Sequence, residues 1–292
     1  MRPPLVLSIS ASDPLGASGL AADLKTLTAL GVYGAGVTTM IAVGSTQGVR
    51  SLHRLEGDVV GAQLDAVLAD VRPDATKIGA LGGAAAATEV SRRVREHRAE
   101  LGTLVLDAVM VDLDGTALIT AEGAAVLAAE LVPQVDVLVA NTLEAGQLLG
   151  RAPATDAEGL REHALALREL GPRSVLVTGA RLGGADAVDV LVHPGGTDVL
   201  RSARVDSAHT RGAGATLTAA IAAQYARVEE FGRTGQDDQV GSEGTQDDDI
   251  TIIASAREFL ASTMIDAQTW ELSRTPGTGH GPLNHLITLS AG

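Results

Sequence analysis

Thr210–Arg211–Gly212–Ala213–Gly214–Ala215–Thr216 sets a run of small residues before a helix-forming stretch from about Leu217 to Tyr225. Small residues let a chain turn tightly and come close to a ligand. The free N–H groups of a first helical turn then point at that ligand, and the helix dipole adds to the attraction for an anion. Phosphoryl transfer needs such a cradle, because charge spreads over the transferred oxygens in the transition state. Alone, Gly-Ala-Gly fits better a helix start packed closely on a strand. A second set of residues bears on the choice. Asp13, Asp107, Asn141 and Thr178 each stand just past a short apolar run.

Those runs are the elements that must position the set. Leu5 to Ile9, Val32 to Ile41, Thr76 to Ile78, Leu104 to Leu106, Val135 to Val139 and Ser174 to Val177 read as strands. Helical spacing separates them: Leu20, Leu24, Leu27 and Leu30 up to a stop at Gly31; Val60, Leu64, Val67, Leu68 and Val71 behind Asp58 as cap; Ala84 to Leu101; a helix capped by Thr120; and Ala157 to Leu170. Strands that are apolar throughout and alternate with helices predict an α/β fold, a mostly parallel central sheet with helices on both faces. Ligands in such folds collect at the carboxyl ends of the strands, where Asp13, Asp107, Asn141 and Thr178 fall.

Composition narrows the classes further. Hydrophobic residues make up 45% of the 292 and aromatics only 2%, so the core is aliphatic. A net charge of −14 repels nucleic acid and anionic membrane surfaces, and ring stacking on bases is excluded by the scarcity of rings. Cysteine is absent, which fits a reducing, cytoplasmic setting and excludes thiolate metal sites. No targeting segment is read at the start of the chain. Thr26 to Val49 carries no charge and is long enough to span a bilayer, but five glycines interrupt it, and a helix end, a strand and a loop account for it better. Residues 231–249 are rich in Gly, Gln, Ser, Thr and Asp and predict an acidic, disordered insertion between two helices of a single domain spanning 1–292.

The blocks VLSISASDPLGASGLAADLK at Val6 to Lys25, ATKIG at Ala75 to Gly79, LDAVM at Leu106 to Met110, NTLEA at Asn141 to Ala145, Gly212 to Ile221 and GHGPLNH at Gly279 to His285 resemble, in the same order, the hydroxymethylpyrimidine/phosphomethylpyrimidine kinases of thiamine synthesis. The resemblance spans nearly the whole chain and implies a ribokinase-like fold, ATP with Mg²⁺, a pyrimidine alcohol or its phosphate as acceptor, and a homodimer. It implies that Gly212, Ala213, Gly214 and Ala215 form the catalytic anion hole, and that Asp107 and Glu144 act near the metal and phosphates. It places Asn141, Thr178, Thr210 and Arg211 at the nucleotide, and Asp13, Asp23, Gly44 and Ser45 at the substrate. Without the resemblance, Asp107 and Glu144 read as caps or surface carboxylates, and Asp23 as a solvated carboxylate on a helix face.

Departures from the family pattern fall within these positions. Ala215 stands where the family has a catalytic Cys, Gly44 where it has a Glu or Gln that reads the pyrimidine edge, Thr178 where it has Lys, and Arg211 where it has His. Arg211 or Arg181 can restore the missing positive charge; the alternative is that both are solvated. By loop placement Asp13, Asp206 and His209 can replace the missing base, while His280 and His285 read as structural. Three functions follow: a kinase for hydroxymethylpyrimidine or its phosphate, a kinase for another vitamin-like alcohol such as pyridoxal, or a descendant that kept the fold for binding or regulation.

Overall fold

Strand residues of this chain alternate between two cores, which is why the runs read as apolar throughout. The computed structural model describes residues 2–234, 247–275 and 278–287. Among them a nine-stranded sheet has the order β3-β2-β1-β4-β5-β6-β7-β8-β9. The strands are β1 (Leu5–Ser12), β2 (Tyr33–Ser45), β3 (Gly48–Arg54), β4 (Ala75–Ile78), β5 (Thr103–Asp107), β6 (Val137–Asn141), β7 (Ser174–Thr178), β8 (Asp186–His193) and β9 (Gly196–Ala203). β2, β1, β4, β5, β6 and β7 are mutually parallel. β3 closes one edge and β8–β9 the other, all antiparallel.

Leu7, Ile9, Leu104, Leu106, Leu138 and Val175 bury one sheet face against α2 (Gly57–Leu68), α3 (Ala84–Glu96), α5 (Thr142–Leu149) and α6 (Ala157–Arg168), with α4 (Ala121–Val126) behind them. Their neighbours Val6, Val105, Val137, Val139 and Leu176 face the other way, onto α1 (Gly19–Ala29), α7 (Ala213–Thr234) and α8 (Asp247–Asp266). Ala219, Ala220, Ala222, Ala223 and Ala226 of α7 are fully buried, so this helix seats close on the sheet. An aliphatic core packed this way needs no rings.

All six parallel strands coincide with the runs read from the sequence. β3, β8 and β9 lie outside that pattern: most of β3 and β9 is exposed and polar, so little apolar periodicity marks them. Thr120 caps α4 as expected, its Oγ1 accepting from Gly123 N at 3.1 Å. Asp58 does not cap α2; the cap position is Glu56, and Asp58 sits in the first turn, where its charge favours the helix dipole. The expected start of α7 at Leu217 moves back to Ala213, so the small residues are themselves the first turn. The expected insertion also narrows. α7 runs to Thr234 and α8 begins at Asp247, while 235–246 lie outside the described residues. Asp249 is buried, paired with Arg173 at 2.9 Å and accepting from Tyr225 Oη at 2.6 Å, which ties the start of α8 to β7 and α7.

Candidate active site

A cleft of about 530 Å³ opens along the carboxyl ends of the parallel strands. Asp107 ends β5, Asn141 ends β6, Thr178 ends β7, and Asp13 follows β1; all four line the cleft, as their shared position predicts. Across from them stands the N-terminus of α7. Gly212 has φ +84, and a Cβ there would lie 1.8 Å from the Ala17 carbonyl oxygen, so only glycine allows this turn to close on the first loop. The amides of Gly214 and Ala215 have no backbone partner among the described residues. A Cβ built on Gly214 would lie 3.7 Å from Asp107 Oδ2, so the open amides and this carboxylate face the same space.

Two buried carboxylates stand at that point. Asp107 Oδ2 accepts from Thr218 Oγ1 at 3.2 Å. Glu144 and Asn141 form a reciprocal cap on α5: Asn141 Oδ1 accepts from Leu143 N and Glu144 N, and Glu144 Oε2 accepts from Asn141 N at 2.9 Å. The helix cap and the cleft position are therefore two properties of one residue. Burial pushes Asp107 up to about 6, with Asp23 adding and Lys77 opposing. Burial, then the Asp107 charge, push Glu144 up to about 8. Such a pair resists holding two negative charges unless a cation or protons compensate.

Asp23 does not line the cleft, and it is not solvated. It is fully buried behind Lys77, whose Nζ donates to both its carboxylate oxygens at 3.0 and 2.9 Å, and Ser8 Oγ donates to it at 2.7 Å. Lys77 does line the cleft and is 1% exposed. Its signal was present in the sequence: a lysine inside a short strand buried on both faces must have a buried acid as partner.

Gly44 and Ser45 also lie outside the cleft wall. A bulge between Val43 and Gly44 brings the β2–β3 hairpin together, and a Cβ on Gly44 would lie 2.8 Å from the Gly48 carbonyl oxygen. Ser45 Oγ accepts from Gln47 N within the turn. The hairpin instead presents Met40, Ala42 and Val49, which with Val109, Val111 and Leu118 make an apolar wall.

Arg211 is not solvated. Only 3% of it is exposed, Nη1 donates to Asp112 Oδ2 at 3.1 Å, and Nε lies 3.7 Å from Asp13 Oδ2. Asp13 in turn orders the first loop, accepting from Leu15 N, Ala17 N, Ser18 N and Ser18 Oγ. Arg181 is exposed at the cleft mouth, on a turn stapled by Arg204 to the carbonyls of Ala180, Leu182 and Gly184. Asp206 and His209 lie outside the cleft. Thr210 lines it, and so does His280. His285 is buried under α7, where its Nε2 lies 2.8 Å from Thr216 Oγ1; burial holds it down at about 4, so this imidazole is neutral.

Paired carboxylates at parallel strand ends, facing a glycine-bearing helix start across one cleft, define a ribokinase-like phosphotransferase of small molecules. Comparisons with known proteins agree. The sequence profile of the phosphomethylpyrimidine kinase family matches residues 13–234, and the chain belongs to that family. It is similar to the hydroxymethylpyrimidine/phosphomethylpyrimidine kinase of Salmonella typhimurium, with 34% identity over 280 residues and 96% of each chain covered. Among solved structures it resembles the ADP complex of Bacillus subtilis pyridoxal kinase, with a TM-score of 0.81 and 27% identity over the whole of both chains. The phosphomethylpyrimidine kinase of Clostridium difficile follows at a TM-score of 0.71 and 27% identity, covering 90% of this chain and 99% of that one.

Proposed function

We propose that this chain transfers the γ-phosphoryl group of ATP to the hydroxymethyl group of hydroxymethylpyrimidine or of its monophosphate. The observation that carries the reading is the pair of amides at Gly214 and Ala215, without a backbone partner among the described residues, in one cleft with buried Asp107 and Glu144. The amides hold phosphoryl oxygens and stabilise their charge as it spreads. The cleft beyond them is apolar, walled by Leu217, Leu260, Ala261 and Met264, and suits an adenine ring. Thr178 and Arg181 line the same cleft, and Arg181 supplies charge to the phosphates.

Asp107 and Glu144 fit Mg²⁺. Among the described residues no cluster of three or more His, Cys, Asp or Glu forms a metal cage, and Mg²⁺ commonly takes one or two carboxylates and completes its shell with water and phosphate oxygens. Bound there, Mg²⁺ would neutralise charge on the transferred phosphoryl group. Asn141 fixes Glu144 through the reciprocal cap, and Thr218 fixes Asp107. Asp13 and Arg211 hold the first loop against the cradle and close the acceptor end.

A specific observation favours a second reading. The acceptor wall of Met40, Ala42, Val49, Val109, Val111 and Leu118 offers no side chain to read an aminopyrimidine edge. A kinase for a pyridoxal-like alcohol, or a binding protein without turnover, follows from that wall. A coupled ADP-release assay with Mg²⁺–ATP decides. Turnover with hydroxymethylpyrimidine or its phosphate supports the first reading, turnover with pyridoxal alone the second. Calorimetric binding without ADP release from any of the three identifies a binding protein.

A further inference from the structure

The cradle holds no proton acceptor. Residues 212–215 are Gly-Ala-Gly-Ala, so nothing on the first turn of α7 can take a proton from an attacking hydroxyl. The acids at the acceptor end are already engaged. Asp13 accepts four hydrogen bonds from its own loop, the closest from Ser18 Oγ at 2.8 Å. Asp112 is bound to Arg211.

His280 differs. It lines the cleft, and its Nδ1 lies 3.0 Å from Thr210 Oγ1, two residues ahead of Gly212. Nε2 has no partner among the described residues. The backbone on both sides is clamped. Gly279 has φ +73 and lies so close to the Thr46 carbonyl that a Cβ would come within 2.0 Å of its oxygen. His280 N donates to the same carbonyl at 2.9 Å, and Gly281 packs on the His209 ring with no room for a Cβ. An exposed histidine is thus held by its neighbours in a fixed place beside the cradle, with one ring nitrogen left over.

We propose that His280 is the general base of the phosphoryl transfer, a role that rests on the kinase reading above. Nδ1–H donates to Thr210 Oγ1, which leaves the lone pair on Nε2. The acceptor hydroxyl gives its proton to Nε2 as its oxygen attacks the γ-phosphorus. The new O–P bond forms, the bond from phosphorus to the β–γ bridging oxygen breaks, and ADP leaves with that electron pair. The imidazolium then releases its proton to water. Imidazole is suited to this exchange near neutral pH. Other charged groups at this end of the cleft are Asp13, Asp112 and Arg211, which pair among themselves, Asp114 against the hairpin at Gly48, and His209 behind Gly281.

The test uses the full chain, Mg²⁺–ATP and hydroxymethylpyrimidine, with wild type, His280→Ala and Thr210→Val compared over pH 5.5–9. His280→Ala is expected to lose roughly 10²–10⁴ in kcat with KM for ATP unchanged. The acid limb of the wild-type profile is expected to vanish in His280→Ala, and added imidazole to restore part of the rate. Thr210→Val, which frees the ring, is expected to fall between the two. Thermal melts confirm that each variant is folded. His280→Ala within about threefold of wild type, or with the acid limb intact, overturns the role while leaving the kinase reading in place. A wild type that releases no ADP with any acceptor overturns the kinase reading and this role with it.

Discussion

Replacing Lys77 by Met removes one half of an ion pair whose side chains are 1% and 0% exposed. Two hydrogen bonds of 3.0 and 2.9 Å go with it. Asp23 is left buried with only the Ser8 hydroxyl for a partner. Breaking a buried pair from one side typically costs about 3–5 kcal/mol. That is a large part of a domain's usual stability of about 5–15 kcal/mol. With a urea dependence near 3 kcal/mol per molar, the unfolding midpoint should fall by about 1 M or more. Asp23 is already held above the usual carboxylate range by burial, with Lys77 pulling it down, and losing Lys77 raises it further. A carboxyl raised in the folded state stabilises below its folded value and loses that contribution as pH rises. The deficit of Lys77→Met should therefore shrink as pH falls from 7.5 to 5. Asp23→Asn combined with Lys77→Met leaves neutral groups of similar volume, so the double variant should recover most of the loss. Urea unfolding of the four proteins, followed by circular dichroism at both pH values, measures the coupling. A cost below about 1 kcal/mol for Lys77→Met, or a double variant as unstable as the summed singles, would refute the reasoning.

Further outcomes follow from the same geometry. Glu144 is raised to about 8 and Asp107 to about 6, so without Mg²⁺ the melting temperature should decline as pH rises from about 4.5 to 8. Glu144→Gln should flatten that decline while depressing kcat, and melts at pH 5, 7 and 9 show either. Gly212→Ala forces a Cβ to 1.8 Å from the Ala17 carbonyl oxygen at φ +84. The backbone conformation alone costs about 1–2 kcal/mol, so KM for ATP should rise along with a lower unfolding midpoint. Gly44→Gln introduces the side chain that the family resemblance implies at this position. Its Cβ meets the Gly48 carbonyl at 2.8 Å, so we expect a lower melting temperature and no fall in KM for hydroxymethylpyrimidine.

The sheet was legible where both of its faces are buried. Leu104 to Leu106 and Ser174 to Val177 carry their signal in every residue, because alternate side chains enter different cores. Edge strands have one wet face or two, and β9 left no such mark. The place of the candidate site was legible: the strand-end positions put Asp13, Asp107, Asn141 and Thr178 on one cleft, with the small residues of 212–215 on the same cleft. Which residue partners which was not legible. Asp23 and Lys77 are 54 residues apart and meet only once β4 pairs with β1 and α1 packs on β1. Arg211 reads as a free cation until Asp13 and Asp112 arrive from two other loops. The closed hairpin at Gly44 depends on a bulge, which composition does not reveal.

On the proposed function, the charges in the cleft give a reason for the nucleotide and a divalent cation to enter together. The chain carries −14, and Asp23, Asp107 and Glu144 outnumber Lys77 within one buried cluster. An uncomplexed triphosphate entering that field meets these carboxylates with Arg181, two free amides and a helix dipole to oppose them. On the proposed function the same carboxylates become attractive once a divalent cation accompanies the phosphates, because the cation replaces the protons that Glu144 would otherwise retain near neutral pH. Burial that looks unfavourable for Glu144 alone thus favours the complexed nucleotide over the free one.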